Sequence, residues 1–195
     1  LRHESIDKKE GAETFSFVVP GAALSEVEKI CSDVDEPASV TQGARHVMFK
    51  VGDTMLVSRR LEGEFLAYRQ AIPRNNTIHV VGDTRALLAS IDRVSLIISD
   101  KLKSPLRCIF DDGVLNISTK TAIGDAYDEC PLEGDGGGLE IGFNNKYLMD
   151  ALKAAPADKV RPELTTGVSP CVILPTEGEE NFLYMVLPVR LKAGE

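Results

Sequence analysis

Apolar positions along the chain change their spacing in a pattern that occurs three times. The first round opens with Phe15 to Pro20, an apolar run that reads as a strand. Leu24, Val27, Ile30 and Cys31 then fall on one stripe of a helix that begins near Ala22. Three further runs, Ser39 to Gly43, His46 to Val51 and Thr54 to Arg60, read as strands, with Gly52 and Asp53 as a tight turn between the last two. The second round has a strand at Thr77 to Gly82, then a helix from Thr84 with Leu87, Leu88, Ile91 and Val94 on its stripe. Asp83 is placed to cap it. Strands follow at Leu106 to Asp111, Val114 to Thr119 and Ala126 to Leu132. The third has a strand at Leu139 to Phe143, and a helix after Asn144 carrying Tyr147, Leu148, Ala151, Leu152 and Ala155. Strands close it at Lys159 to Leu164, Ser169 to Leu174 and Phe182 to Val189. The period is about 60 residues and the repeated unit is βαβββ.

Each helix has a single apolar face and must lie on a sheet. Helices on one face of largely antiparallel sheets make an α+β architecture. The irregular stretch from Leu61 to Asn76 predicts a boundary, dividing the chain into residues 1–76 and 77–195. Asp111, Asp112 and Gly113 read as a hairpin turn, and Glu133 to Gly138 as a flexible loop leading into a strand.

Composition narrows the possible chemistry. Aromatic residues make up 6% of the chain and Trp is absent, so aliphatic side chains must build the core. No apolar run reaches the ~18 residues of a membrane span. The N-terminus lacks the apolar segment of a secretory signal, and without an initiator Met the chain is expected to be a piece of a longer one. Cys31, Cys108, Cys130 and Cys171 are widely spaced, unlike zinc ligands, and are expected to be buried, reduced thiols. The net charge of −8 argues against a chain that coats nucleic acid.

Catalytic signals are weak. Adjacent Asp111 and Asp112 are explained by the turn at Gly113. The Glu133 loop carries two carboxylates and enters a strand, whereas a phosphate loop enters a helix. His3, His46 and His79 are isolated, and no Ser sits in a Gly-x-Ser-x-Gly elbow. The rival readings are an α+β hydrolase using Asp111, Asp112 or the Glu133 loop, and an adaptor module without a nucleic-acid role.

Three segments carry a resemblance. Arg60 to Pro73 (RLEGEFLAYRQAIP), Gly142 to Tyr147 (GFNNKY) and Tyr184 to Leu191 (YMVLPVRL) resemble the bacterial DNA polymerase III β subunits, the sliding clamps. The match runs in order along essentially the whole chain. It implies the DNA-clamp fold, with residues 1–76 as the C-terminal half of the clamp's middle domain and 77–195 as its complete third domain. The family's Thr-Asp-Gly-His-Arg-Leu run is then expected to lie ahead of Leu1. The resemblance also implies a non-enzymatic processivity factor without cofactor or metal, working in the bacterial cytoplasm. Its partners would be encircled duplex DNA bound without sequence preference, a second clamp protomer, and the replicative polymerase, clamp loader and repair proteins, which dock through short peptides. No membrane is involved.

The same resemblance carries over a peptide pocket: Leu66, Gln70, Ala71, Leu102, Asn144, Tyr147, Val168, Pro170, Met185, Leu187, Pro188, Val189, Arg190 and Leu191. Leu66 stands where many relatives have Pro, and Gln70 where some have Arg. Periodicity alone reads Met185, Leu187 and Val189 as core positions of a last strand. The cations expected to face DNA are Lys29, Arg85, Arg93, Lys146 and Lys153. They are few, and a ring that holds DNA topologically needs few. Ile97 and Ile98 with the acidic Asp125, Asp128 and Glu129 are the expected protomer interface.

Overall fold

The computed structural model describes residues 1–2, 14–32, 34–99, 104–178 and 181–191. His3 and Leu102 lie outside the described residues. The chain divides into two compact units, Ile6–Ala67 and a larger one of Tyr68–Glu195 with Leu1–Ser5. The division falls between Ala67 and Tyr68, so residues 68–76 group with the larger unit.

The smaller unit contains α1 (Gly21–Ser32) and the antiparallel sheet β1 (Ala38–Gln42), β2 (His46–Val51) and β3 (Thr54–Arg59). Alternation along β2 buries Val47, Phe49 and Val51 and leaves His46 and Lys50 exposed. The segment from Phe15 to Pro20, expected as a strand, is not one. Its Phe17 stands edge-on to Phe49, with ring centres 6.2 Å apart, and the Leu61 amide bonds to the Val18 carbonyl at 2.7 Å. The stripe expected on α1 is only partly covered. Ala23, Val27 and Ile30 are half-buried, while Leu24 and Cys31 are exposed, so Cys31 is not the buried thiol expected.

The larger unit contains α2 (Tyr68–Ala71), β4 (Ile78–His79), β5 (Gly82–Asp83), α3 (Thr84–Ser95), β6 (Leu106–Thr121), β7 (Gly124–Phe143), α4 (Asn145–Ala154), β8 (Lys159–Leu164), β9 (Cys171–Pro175) and β10 (Tyr184–Val186). A sheet runs in the order β10-β9-β8-β4, with β5 also on β8, and β6 and β7 form a long antiparallel ribbon. α3 and α4 pack together, and α3 also packs on the ribbon. Leu87, Ile91, Val94, Leu148, Ala151 and Leu152 from the helices meet Leu106, Cys108, Ile117, Ile141 and Phe143 from the ribbon in one core. Asp83 caps α3, its carboxylate accepting from the Ala86 amide at 2.7 Å.

Asp111–Gly113 does not turn a hairpin. It sits inside β6, and the turn falls between Thr121 and Gly124, so the two strands expected there are one. The register shifts on either side of Asp112, which pairs with Asp135. From Leu139 back to Pro131, β7 uses more residues than β6 does opposite. The segment Glu133–Gly138, expected as a loop, absorbs that surplus within β7. Gly134 and Gly137 take positive φ, and a Cβ at Gly136 would strike Phe110.

Candidate functional site: an apolar surface at the C-terminal tail

β10 pairs with β9 through Tyr184–Ile173, Met185–Val172 and Val186–Cys171. Leu187 and Pro170 follow the last pair of this ladder. The chain then crosses to the end of β7, where the Val189 amide donates to the Gly142 carbonyl at 2.8 Å. Gly142 is required there, because a Cβ would strike the Val189 carbonyl oxygen and the Leu191 side chain. Gly167 plays the same part nearby, since its Cβ would strike the Glu140 carbonyl oxygen. These two glycines let the 164–170 turn and the tail close onto the last residues of β7. The strand then leads directly into α4, whose N-cap is Asn144, accepting from the Lys146 amide at 3.0 Å.

Apolar side chains on these segments face solvent. Tyr147 is 63% exposed, Val168 73%, Leu187 62% and Val189 37%. Tyr147 therefore does not share the buried face of α4 with Leu148, Ala151 and Leu152. Met185, Pro170, Pro188 and Leu191 are half-buried, and Arg190 is exposed. Asn144, Tyr147 and Val189 meet around one cavity of about 270 Å³, together with Ile98, Ser104 and Pro105. Ser104 and Pro105 carried no sequence signal. Leu191 instead joins Asp125, Arg107 and Tyr127 around a second cavity of about 340 Å³. Gln70 and Ala71 lie exposed on α2 of this unit, and Leu66 is exposed in the smaller one.

The charged candidates divide. Lys29 pairs with Glu26 at 2.7 Å on α1, and that bond holds its ammonium above the usual range. Arg85 lies 4.0 Å from Asp158. Arg93 is joined to Asp128 at 2.6 Å, so a residue expected to face DNA is tied to one expected at the protomer interface. Burial pushes the Asp128 carboxyl up, but bonds from Arg93, the Glu129 amide and Ser90 outweigh it and hold that carboxyl below the usual range. Glu129 accepts from the Tyr127 hydroxyl, and Asp125 is exposed opposite Lys120. Lys146 and Lys153 are exposed on α4. Ile98 packs against the core and Ile97 is half-buried. Among the described residues, the apolar side chain most open to solvent there is Leu96, 79% exposed, just past the end of α3.

The carboxylates of the hydrolase reading are held by backbone amides or by a lysine. Asp111 accepts from the Asp112 amide at 2.9 Å, Asp135 from the Gly137 amide at 2.7 Å, and Glu133 pairs with Lys159. Among the described residues no group of three or more His, Cys, Asp or Glu is placed to hold a metal ion. Among them, too, no helix is long and apolar enough to cross a membrane.

The family model for the DNA polymerase III beta subunit, C-terminal domain, matches residues 69–190. A beta sliding clamp of Staphylococcus aureus is 33% identical over 192 residues, which is 97% of this chain and 51% of that protein. A putative DNA polymerase III beta subunit from Eubacterium rectale superposes with a TM-score of 0.84 at 31% identity, over 94% of this chain and 50% of that one. A DNA polymerase sliding clamp from Pseudomonas aeruginosa superposes with a TM-score of 0.81 at 27% identity, over 90% and 48%. The chain thus spans about half the length of the relatives it matches, and it belongs to the DNA polymerase III beta subunit family.

Proposed function

We propose that this chain works as part of a sliding clamp. The clamp would encircle duplex DNA without reading its sequence, confer processivity on the replicative DNA polymerase, and carry out no catalysis of its own. In this reading residues 1–76 supply half of the clamp's middle domain and 77–195 its third domain, closed into a ring with a second protomer in the bacterial cytoplasm. Ile97, Ile98, Asp125, Asp128 and Glu129 are the proposed protomer contact. Lys29, Arg85, Arg93, Lys146 and Lys153 are the proposed DNA-facing cations. A ring needs only weak phosphate contacts, and weak contacts favour sliding.

The docking of polymerase, clamp loader and repair proteins is assigned to the tail surface. The observation that supports it is the exposure of Tyr147, Val168, Leu187 and Val189 on segments anchored to the end of β7. Such a surface can take Leu or Phe side chains of an extended peptide, with Asn144 and Arg190 as polar neighbours. Each well-buried side chain contributes ~1.5–3 kcal/mol before ordering costs. A labelled peptide ending in an apolar pair, titrated against the chain, tests this. Leu187→Ala is expected to weaken binding about tenfold or more, the equivalent of ~1.4 kcal/mol. Asp112→Ala, in the ribbon bulge, is expected to leave it unchanged. Equal affinity for the two variants rejects the tail as the docking surface.

A further inference from the structure

The sheet of the smaller unit carries a charge pattern that peptide docking does not use. His46 on β2 stands directly opposite Arg59 on β3. The bond from the Arg60 amide to the Arg45 carbonyl, 2.9 Å, carries this ladder one step further. Two successive cross-strand positions thus set three arginines and a histidine at one end of the sheet. Like charges set opposite each other in a sheet are destabilising. The chain has a net charge of −8 and carboxylates to spare. Yet among the described residues the side chains of Arg45 and Arg59 make no ion pair or hydrogen bond. Arg60 is held in place, its Nη1 donating to the carbonyls of Gly43 at 3.2 Å and Ala44 at 3.3 Å, with its other N–H groups left to donate elsewhere. All four residues line one cavity of about 450 Å³, where Glu62 is the one carboxylate among the described lining residues.

The geometry points to a site for a phosphate oxyanion in this cavity, with Arg45, Arg59 and Arg60 as its ligands. Three guanidinium groups against one carboxylate leave two positive charges even with His46 neutral, which matches a phosphate dianion better than a single carboxylate. Guanidinium forks bind phosphate oxygens in pairs, and Arg60 is already oriented by the backbone. The overall negative charge does not forbid this, because salt screens exposed charges beyond about 10 Å. The site lies within the smaller unit and is independent of the clamp reading, so either can fail without the other.

The phosphate can come from a free polyphosphate or from a nucleic-acid backbone, and two probes separate the sources. Pyrophosphate is titrated into the chain by calorimetry, and a short single-stranded oligonucleotide by fluorescence anisotropy. At least one is expected to bind. Arg45→Ala and Arg59→Ala should each lower that affinity tenfold or more, and Arg59→Lys by less. Lys120→Ala, in the other unit, should leave it unchanged. Pyrophosphate binding alone assigns the site to free polyphosphate, and oligonucleotide binding displaced by pyrophosphate assigns it to a backbone. Binding of neither probe overturns the proposal, as does binding that survives both alanine substitutions. An acidic peptide that binds where neither phosphate probe does also overturns it.

Discussion

Helix α1 of the smaller unit buries none of its residues, whereas α3 of the larger unit sinks Leu87, Ile91 and Val94 into a core. Both helices come from the same repeat and both have an apolar stripe. α3 has a sister helix, α4, beside it and a long ribbon against it. α1 has β2 and β3 of a three-stranded sheet against it. An amphipathic stripe therefore earns burial only where a second repeat helps to cover it.

Thiol chemistry should separate the two units most widely. Cys31 on α1 is exposed, while Cys108, Cys130 and Cys171 are buried in the larger unit. Burial pushes the Cys108 thiol up to about 12. It also pushes Cys171 up, with Cys108 and Glu163 adding to the effect. With a disulfide reagent at neutral pH, Cys31 is expected to react on the order of a thousandfold faster than the other three, which wait for unfolding. Four thiols reacting together would erase the contrast.

Core truncation comes next in size. Ile91→Ala is expected to cost about 2–5 kcal/mol in the unfolding of the larger unit. Leu24→Ala, at a side chain 50% exposed on α1, should change stability by no more than about 0.5 kcal/mol. Urea unfolding followed by circular dichroism measures both. Comparable losses would show that α1 is packed as firmly as α3.

The smallest effect concerns Arg93 and Asp128, which tie α3 to the ribbon. The pair is partly exposed, and Arg93→Ala should cost about 0.2–1 kcal/mol. A carboxyl held below its ordinary pKa stabilises the fold above that ordinary value, near 4, and the gain is lost as pH falls through its own lower value. Unfolding measured between neutral and acid pH should show this loss in the wild type and not in Asp128→Asn. A loss of equal size in the variant would detach the acid response from this contact.

Much of the fold was legible because alternation is a local signal. β2 and β8 occupy the residues that their patterns mark, His46–Val51 and Lys159–Leu164, and the Asp83 cap follows from one side chain ahead of an apolar stripe. The bulge was not legible. Asp111, Asp112 and Gly113 are turn formers, and only pairing with distant Asp135 shows that the strand continues through them. Leu24 and Cys31 mislead for a related reason, since periodicity names a face without saying whether anything covers it. Tyr147 and Leu187 have the residue types of a core, and their exposure appears only once α4, β7 and the tail have been assembled. The cavity at Arg45, Arg59 and Arg60 likewise depends on register, which sets these residues across from one another.

The bridge between Val189 and Gly142 also bears on the order of assembly. The ribbon closes from a turn between Thr121 and Gly124 and extends through pairs near in sequence, so it can zip up on the microsecond scale of hairpins. Val189 must return to Gly142 across α4, β8, β9 and β10. That contact carries the greater loop-closure entropy, and it gains its packing only after the strands it crosses are in place. A partly folded chain thus holds a finished ribbon while the apolar surface at its tail is still in pieces, and that surface is complete only when the last residues have docked.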